Sequence, residues 1–466
     1  MVTAKSLESN LYIHSYECVG HMSFGKIKNQ QCKFLLNQML NGRLEVLIRL
    51  KMRTEAEGMV TRGCDFDLSG TSNNLKVTVQ QPVCYSKNLD LESQEIILEC
   101  RAERAKIEAA APANNSITEI VCECTNLPVN IREGFKRLQL HFCNLELDLF
   151  PCTLPKGARK HSDSFAHALV RANLVIRSIH GPLNLDLAKK AVWQLELLLS
   201  LAQRSWVFVV SQRFRDKDGH LLVSEFSEPA FTYAPSRALI PTHSLQDFIV
   251  SAYPKFSNES FREQFNLSAV VDHYVTANSI RSIWPASVGV LIAIETLNSA
   301  WKRLNKTITP WQVKSYIDPK QLNVSREMLN EILNIVEHHN PIFKSIPDHD
   351  RNKLLEQIEN KIRYRSWSPF EQQLRVMLKS LNVDFDESEL KDFIKFRDSI
   401  VHLGSPVDTV DPAEKQELQI NQNTIRSIYG KTLLEKMLLA ILEYKGKSDL
   451  AEDITEIVFK NDQVGS

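Results

Sequence analysis

The chain has 466 residues, which at about 150 per domain predicts two or three domains. Hydrophobic residues make up 43% and charged residues 24%, the balance of an ordinary globular protein, which excludes disorder over most of the length. Lys and Arg (56) equal Asp and Glu (56), so no global positive field draws in nucleic acid, and any such contact must come from a local patch. Residues 10 to about 180 read mainly as strands. Leu44 to Leu50, Leu75 to Val79, Glu95 to Cys100, Glu119 to Cys124, Leu138 to Leu149 and Leu174 to Ile176 are short apolar or alternating runs, with turns expected at Asn41-Gly42 and Ser69-Gly70. A sandwich or barrel-like sheet is the predicted result. A helix follows over Leu185 to Arg204, and then a hairpin of Trp206 to Val210 and Leu221 to Phe226, turned at Asp218-Gly219.

From Ser244 the hydrophobic period changes from two to 3.6. Helices are predicted over 244–253, 266–280, 285–305, 325–338, 349–366, 369–381, 387–403 and 422–445. The boundary is placed in Pro235 to Pro241, giving a β-rich region 1–240 and a helical region 241–466, an α+β chain.

No run reaches the roughly 20 apolar residues of a membrane span, and MVTAKSLESNLYIHSYE lacks the apolar core of a signal peptide, so a cytoplasmic protein with no membrane partner is expected. All nine cysteines fall within the first 152 residues without CxxC spacing, which fits reduced thiols in a β-rich core better than a disulfide framework or a zinc ribbon. Cys122 and Cys124 alternate on one strand and read as core thiols. Adjacent His338 and His339, with His349 and Asp348, do not make a good metal site, because neighbouring helical positions diverge by about 100°. No nucleotide-binding, zinc-protease, hydrolase or kinase motif occurs, and neither a metal nor a cofactor is expected.

The helix 387–403 carries the chemistry. Ser388 or Asp386 can cap its start, Leu390, Phe393, Ile394, Ile400 and Val401 form an apolar side, and Gly404 with Pro406 stops it. Near its end stand Arg397, Asp398 and His402. Metal-free RNA cleavage needs a base for the 2′-hydroxyl proton and a cation for the charge growing on phosphate, and His with Arg supplies both near neutral pH. The spacing alone is common: Arg215 and His220 repeat it across a hairpin turn, and Arg and His near a helix end also serve simply as capping groups. Glu295, set among apolar residues, reads either as a carboxylate able to pair with Arg397 or, equally well, as part of a solvated face. Lys361, Arg363, Tyr364 and Arg365 mix cations with an aromatic ring as RNA contacts do, although a solvated helix end has the same composition. From Ser244 onward 27 basic residues face 31 acidic ones, which argues for selective rather than indiscriminate RNA binding.

On Arg397, Asp398 and His402, together with the helix VLIAIETLNSAW (Val290 to Trp301), the C-terminal half resembles a HEPN domain. The β-rich half with LELLLSLA (Leu195 to Ala202) ahead of a hairpin is similar to the ApeA-like architecture among bacterial defence proteins. The resemblance implies a homodimer or higher homo-oligomer in which two motif helices face each other. It also implies metal-independent cutting of an RNA substrate by 2′-hydroxyl attack, with His402 as general base or acid, Arg397 on the scissile phosphate and Asp398 orienting them. Anti-phage defence by abortive infection, with a phage-derived trigger sensed by the N-terminal region, is the implied setting. The alternative is a HEPN-like bundle kept as a non-catalytic dimerisation or ligand-binding module beside a β-sandwich recognition domain.

Overall fold

The computed structural model describes residues 12–24, 27–39, 41–51, 66–90, 92–109, 116–127, 137–142, 144–152, 170–229, 238–280, 282–304, 369–403 and 416–450. The strands are β1 (Tyr12–Phe24), β2 (Ile27–Met39), β3 (Leu44–Lys51), β4 (Asp67–Ser72), β5 (Leu75–Gln80), β6 (Val83–Asp90), β7 (Glu95–Ala102), β8 (Arg104–Ala109), β9 (Glu119–Thr125), β10 (Leu138–Phe142), β11 (Leu145–Pro151), β12 (Val170–Ser178), β13 (Val209–Arg215) and β14 (Leu221–Ser227). The helices are α1 (Leu185–Gln203), α2 (Leu245–Ser257), α3 (Glu259–Gln264), α4 (Leu267–Ser279), α5 (Ile283–Leu304), α6 (Pro369–Ser380), α7 (Glu387–Leu403) and α8 (Gln416–Ile441). A large antiparallel sheet is thus followed by a helical region, an α+β arrangement.

All fourteen strands belong to one antiparallel sheet in the order β10-β11-β12-β9-β13-β14-β8-β5-β4-β1-β2-β3-β7-β6. Among the described residues its two outer strands, β10 and β6, are not joined to each other. The strands from β14 to β6 nevertheless share one core. Ile48 of β3, Leu68 of β4, Leu98 of β7, Ile107 of β8 and Phe226 of β14 lie in a single buried cluster, which requires the sheet to curl over on itself. The burial pattern BiBiBeBe of β3 shows the period of two that this one-sided core demands.

Two expectations fail for a visible physical reason. Leu138 to Leu149 is two strands rather than one, β10 and β11, paired as a hairpin with Phe142 opposite Leu145. Ser69-Gly70 is not a turn but the middle of β4, where Gly70 lies opposite Gly20 of β1. A Cβ on Gly20 would collide with the Ser69 carbonyl, and one on Gly70 with the Phe34 ring, so glycine is selected here by close approach. The turn between β4 and β5 is made by Asn73 and Asn74, with φ of 46° and 65°, the left-handed values that a two-residue hairpin requires.

Asn184 caps α1 by accepting the Leu187 N–H at 3.1 Å, and Arg204 ends it in the left-handed region. The buried side of α1 includes Ala188, Val192, Leu195, Leu198 and Leu199, and the Val209 N–H donates to the Glu196 carboxylate at 3.3 Å, seating the helix on β13. The other face of β9 and β13 is polar. Glu123 accepts from Ser211 Oγ and Arg213 Nη2, both at 2.8 Å, and stands 3.2 Å from His14 Nε2 of β1. None of the described cysteines is in a disulfide, and all but Cys152 are buried, including Cys122 and Cys124.

The chain forms two compact units. One comprises Met1–Glu259, Val271–Val290 and Leu442–Ser466, and the other Ser260–Val270 with Leu291–Ile441. This division differs from the break at 240 and 241 read from periodicity, because the helical segments 245–257 and 271–279 join the unit that contains the sheet. A change of secondary structure marks where the local code changes, whereas compactness follows which apolar faces meet. Among the described residues, no helix is long and apolar enough to cross a membrane.

Candidate functional site

The helix α7 starts on Asp386, whose Oδ1 accepts the Ser388 and Glu389 N–H groups at 2.8 and 3.0 Å and the Ser388 hydroxyl at 2.6 Å. These bonds hold the carboxyl of Asp386 below its ordinary range, the Ser388 hydroxyl contributing most. Of the two capping residues allowed by the sequence, Asp386 takes the role. Leu390, Phe393, Ile394 and Phe396 are buried, and Phe393 fits over Gly430 of α8 with its ring 6.2 Å from that of Tyr429. Val401 departs from the apolar side predicted for it and is 52% exposed.

That packing fixes the roll of α7 and so the place of Arg397. Its Nε donates to Glu295 Oε1 of α5 at 2.8 Å, its Nη2 donates to the same oxygen, and its Nη1 donates to Asp398 Oδ1 at 2.7 Å. The guanidinium also lies over the Phe370 ring of α6, 4.5 Å from its centroid. The Arg397 side chain is only 15% exposed, against 33% for Glu295 and 39% for Asp398. Burial opposes the charge of Arg397, but the bonds from Asp398 and Glu295 outweigh it, and its pKa is raised further above an already high value.

Three of the sequence-selected residues, Arg397, Asp398 and Glu295, therefore meet in one cluster. His402 lies in the last helical turn of α7, where only its backbone is described. Lys361, Arg363, Tyr364 and Arg365 lie outside the described residues, as do His338, His339, Asp348 and His349. Reasoning from sequence missed Phe370, which reads as an ordinary helix-start hydrophobe after Pro369. It also missed Asn298, one turn beyond Glu295 on α5, which is 3% exposed and donates to Gln373 Oε1 of α6 at 3.4 Å. The Asn298 carbonyl oxygen is buried with no hydrogen-bond partner among the described residues. Its only sequence signal is the helical spacing from Glu295.

The second Arg and His at the same spacing are placed quite differently. Arg215 ends β13 and reaches Glu119 Oε1 at 3.4 Å, while His220 Nδ1 stands 3.2 Å from Asp216 Oδ2. Asp216 also accepts the Asp218 and His220 N–H groups at 2.9 and 2.8 Å, so it ties off the hairpin. Asp216, Asp218 and His220 stand close enough together to hold a metal ion, but the hydrogen bonds of the turn already account for their arrangement.

The cluster on α7 can hold an oxyanion. A guanidinium has five N–H donors, and Glu295 and Asp398 use three of those on Arg397. The other two, one on each terminal nitrogen, have no acceptor among the described residues, and a guanidinium can bond two oxygens of one phosphate. Comparison with known proteins finds no matching family model, no matching curated protein and no matching solved structure.

Proposed function

We propose that the protein is a metal-independent RNA endonuclease of HEPN type that acts as a homodimer in the cytoplasm. The observation that carries this reading is the fixed guanidinium of Arg397, braced by Glu295 and Asp398 over Phe370, one and a half turns before His402 on α7. In the proposed reaction His402 takes the proton of a ribose 2′-hydroxyl, whose oxygen attacks the adjacent phosphorus. Charge grows on the phosphate oxygens, and Arg397 balances it with its two remaining N–H groups. The 5′-oxygen leaves with a proton supplied by an imidazolium, and a cyclic 2′,3′-phosphate remains. Dimerisation would bring a second motif helix into the same cleft, and the exposed apolar side chains Val401 on α7 and Ile425 on α8 support an interface there. A role in anti-phage defence, with the β-rich region as sensor, extends this reading.

The test is purified full-length protein incubated with total RNA in EDTA. Cleavage leaving cyclic phosphate ends supports the reading, and RNA that stays intact at every concentration of protein overturns it. One observation favours a second reading, a non-catalytic helical module. Two carboxylates already surround Arg397, and a structural tie between α5 and α7 would look the same. Under that reading the RNA stays intact and Arg397→Ala lowers only stability.

A further inference from the structure

We propose that Cys84 and Cys100 are a redox couple, closing to a cross-strand disulfide in the presence of a small disulfide oxidant and so stapling the sheet edge β6 to β7. The two residues are directly opposite each other in the antiparallel pairing of β6 and β7. Side chains so opposed point to the same face with Cβ atoms about 4.5–5.5 Å apart, so only a small adjustment brings them to the separation a disulfide spans. The thiols are already in contact: a hydrogen bond joins them, and Cys84 Sγ also donates to the Ser86 carbonyl at 3.2 Å.

No other described cysteines are so placed. Cys18 lies opposite Phe34, and Cys32 lies opposite Gly20, so that pair is diagonal. Cys122 and Cys124 follow one another on a single strand. Cys84 and Cys100 are 1% and 0% exposed, and burial holds the Cys100 thiol well above its ordinary range, so oxidation must follow local opening. The position permits it. Among the described strands β6 is the last of the sheet and pairs with β7 alone, and its register is broken by a bulge between Cys84 and Ser86.

The exchange balances without a metal. In the opened edge, the Cys84 thiolate attacks one sulfur of the small disulfide and releases one small thiol. The Cys100 thiolate then attacks the Cys84 sulfur and releases the second, and the two protein protons leave on the two released thiols.

The experiment is full-length protein held under native conditions with glutathione disulfide, then alkylated and analysed by intact mass and peptide mapping. The expected result is two fewer alkyl groups than in the reduced control, with Cys84–Cys100 as the dominant linked peptide, and a thermal midpoint several degrees higher than that of the reduced protein. Cys84→Ser and Cys100→Ser should each abolish both changes. The proposal is overturned if another pair dominates, if the native chain stays reduced while the urea-unfolded chain oxidises, or if the bridged protein is the less stable form.

Discussion

The side chain of Arg397 is held from three directions, and its loss should be felt in rate before stability. Arg397→Ala and His402→Ala are each expected to lower RNA cleavage on the order of 10²-fold or more, the usual effect of removing a preorganised charge or an acid–base group. Arg397→Lys should fail as well, because an ammonium cannot bond Glu295 and a phosphate in one plane. Asp398→Ala should cost less, since water can replace one orienting oxygen, and Arg215→Ala and His220→Ala should change nothing. Initial rates on a labelled RNA decide this, and undiminished cleavage by His402→Ala would place the chemistry elsewhere. A different residue controls stability against pH. Burial pushes Glu196 up to about 7 from its ordinary value of 4.5, with only the Val209 N–H favouring its charge. A carboxyl raised on folding is protonated in the native state between those two values. Its contribution is therefore complete on the acid side and declines as pH rises from about 4.5 to 7. Glu196→Gln should remove that decline and stabilise the protein at pH 8 by on the order of 3 kcal/mol, measured by urea unfolding at both ends of the range.

At the scale of elements, β1 and β4 depend on two facing glycines, and Gly20→Ala should force them apart. The expected cost is about 2 kcal/mol, read from the urea midpoint, whereas alanine at the open turn position Gly181 meets no neighbour and should cost only its backbone strain. The same glycines show why parts of the fold were hidden in the sequence. The strand β1 buries Cys18, Gly20 and Met22 in alternation, residues too small or too neutral to register as an apolar stripe. The turn at Asn73-Asn74 was masked by a Ser-Gly pair that looks more like a turn than the residues that make one. By contrast the start and middle of α7 were legible, because a capping Asp or Ser and an amphipathic run point the same way, although Val401 proves exposed. The approach of Arg397 to Glu295 was partly legible, as an acid in an apolar helix needs a partner. Phe370 and Asn298 were not, because an aromatic under a guanidinium and an amide one turn from an acid acquire meaning only once α5, α6 and α7 are packed.

At the scale of the whole molecule, the two compact units are interleaved along the chain, which passes between them after residues 259, 270, 290 and 441. No single cut separates them. Expressed alone, residues 1–240 would lack α2, which packs on α1 through Tyr253 donating to Gln194 at 3.1 Å, and the backbone of Asp449, which accepts from the buried Arg204 at 2.6 Å. Such a fragment should be insoluble or unfold without a cooperative transition, and 241–466 should fare no better, while the full chain unfolds cooperatively. Circular dichroism melts of the three chains test this, and a stable, cooperative 1–240 would show that the later segments are dispensable. The interleaving also sets a clock for synthesis. With translation at about 5–20 residues per second, the stretch from residue 259 to residue 442 takes on the order of ten to forty seconds. Throughout that interval Arg204 has been made but its Asp449 acceptor has not, so this bond of the first unit closes only after most of the second unit has been synthesised.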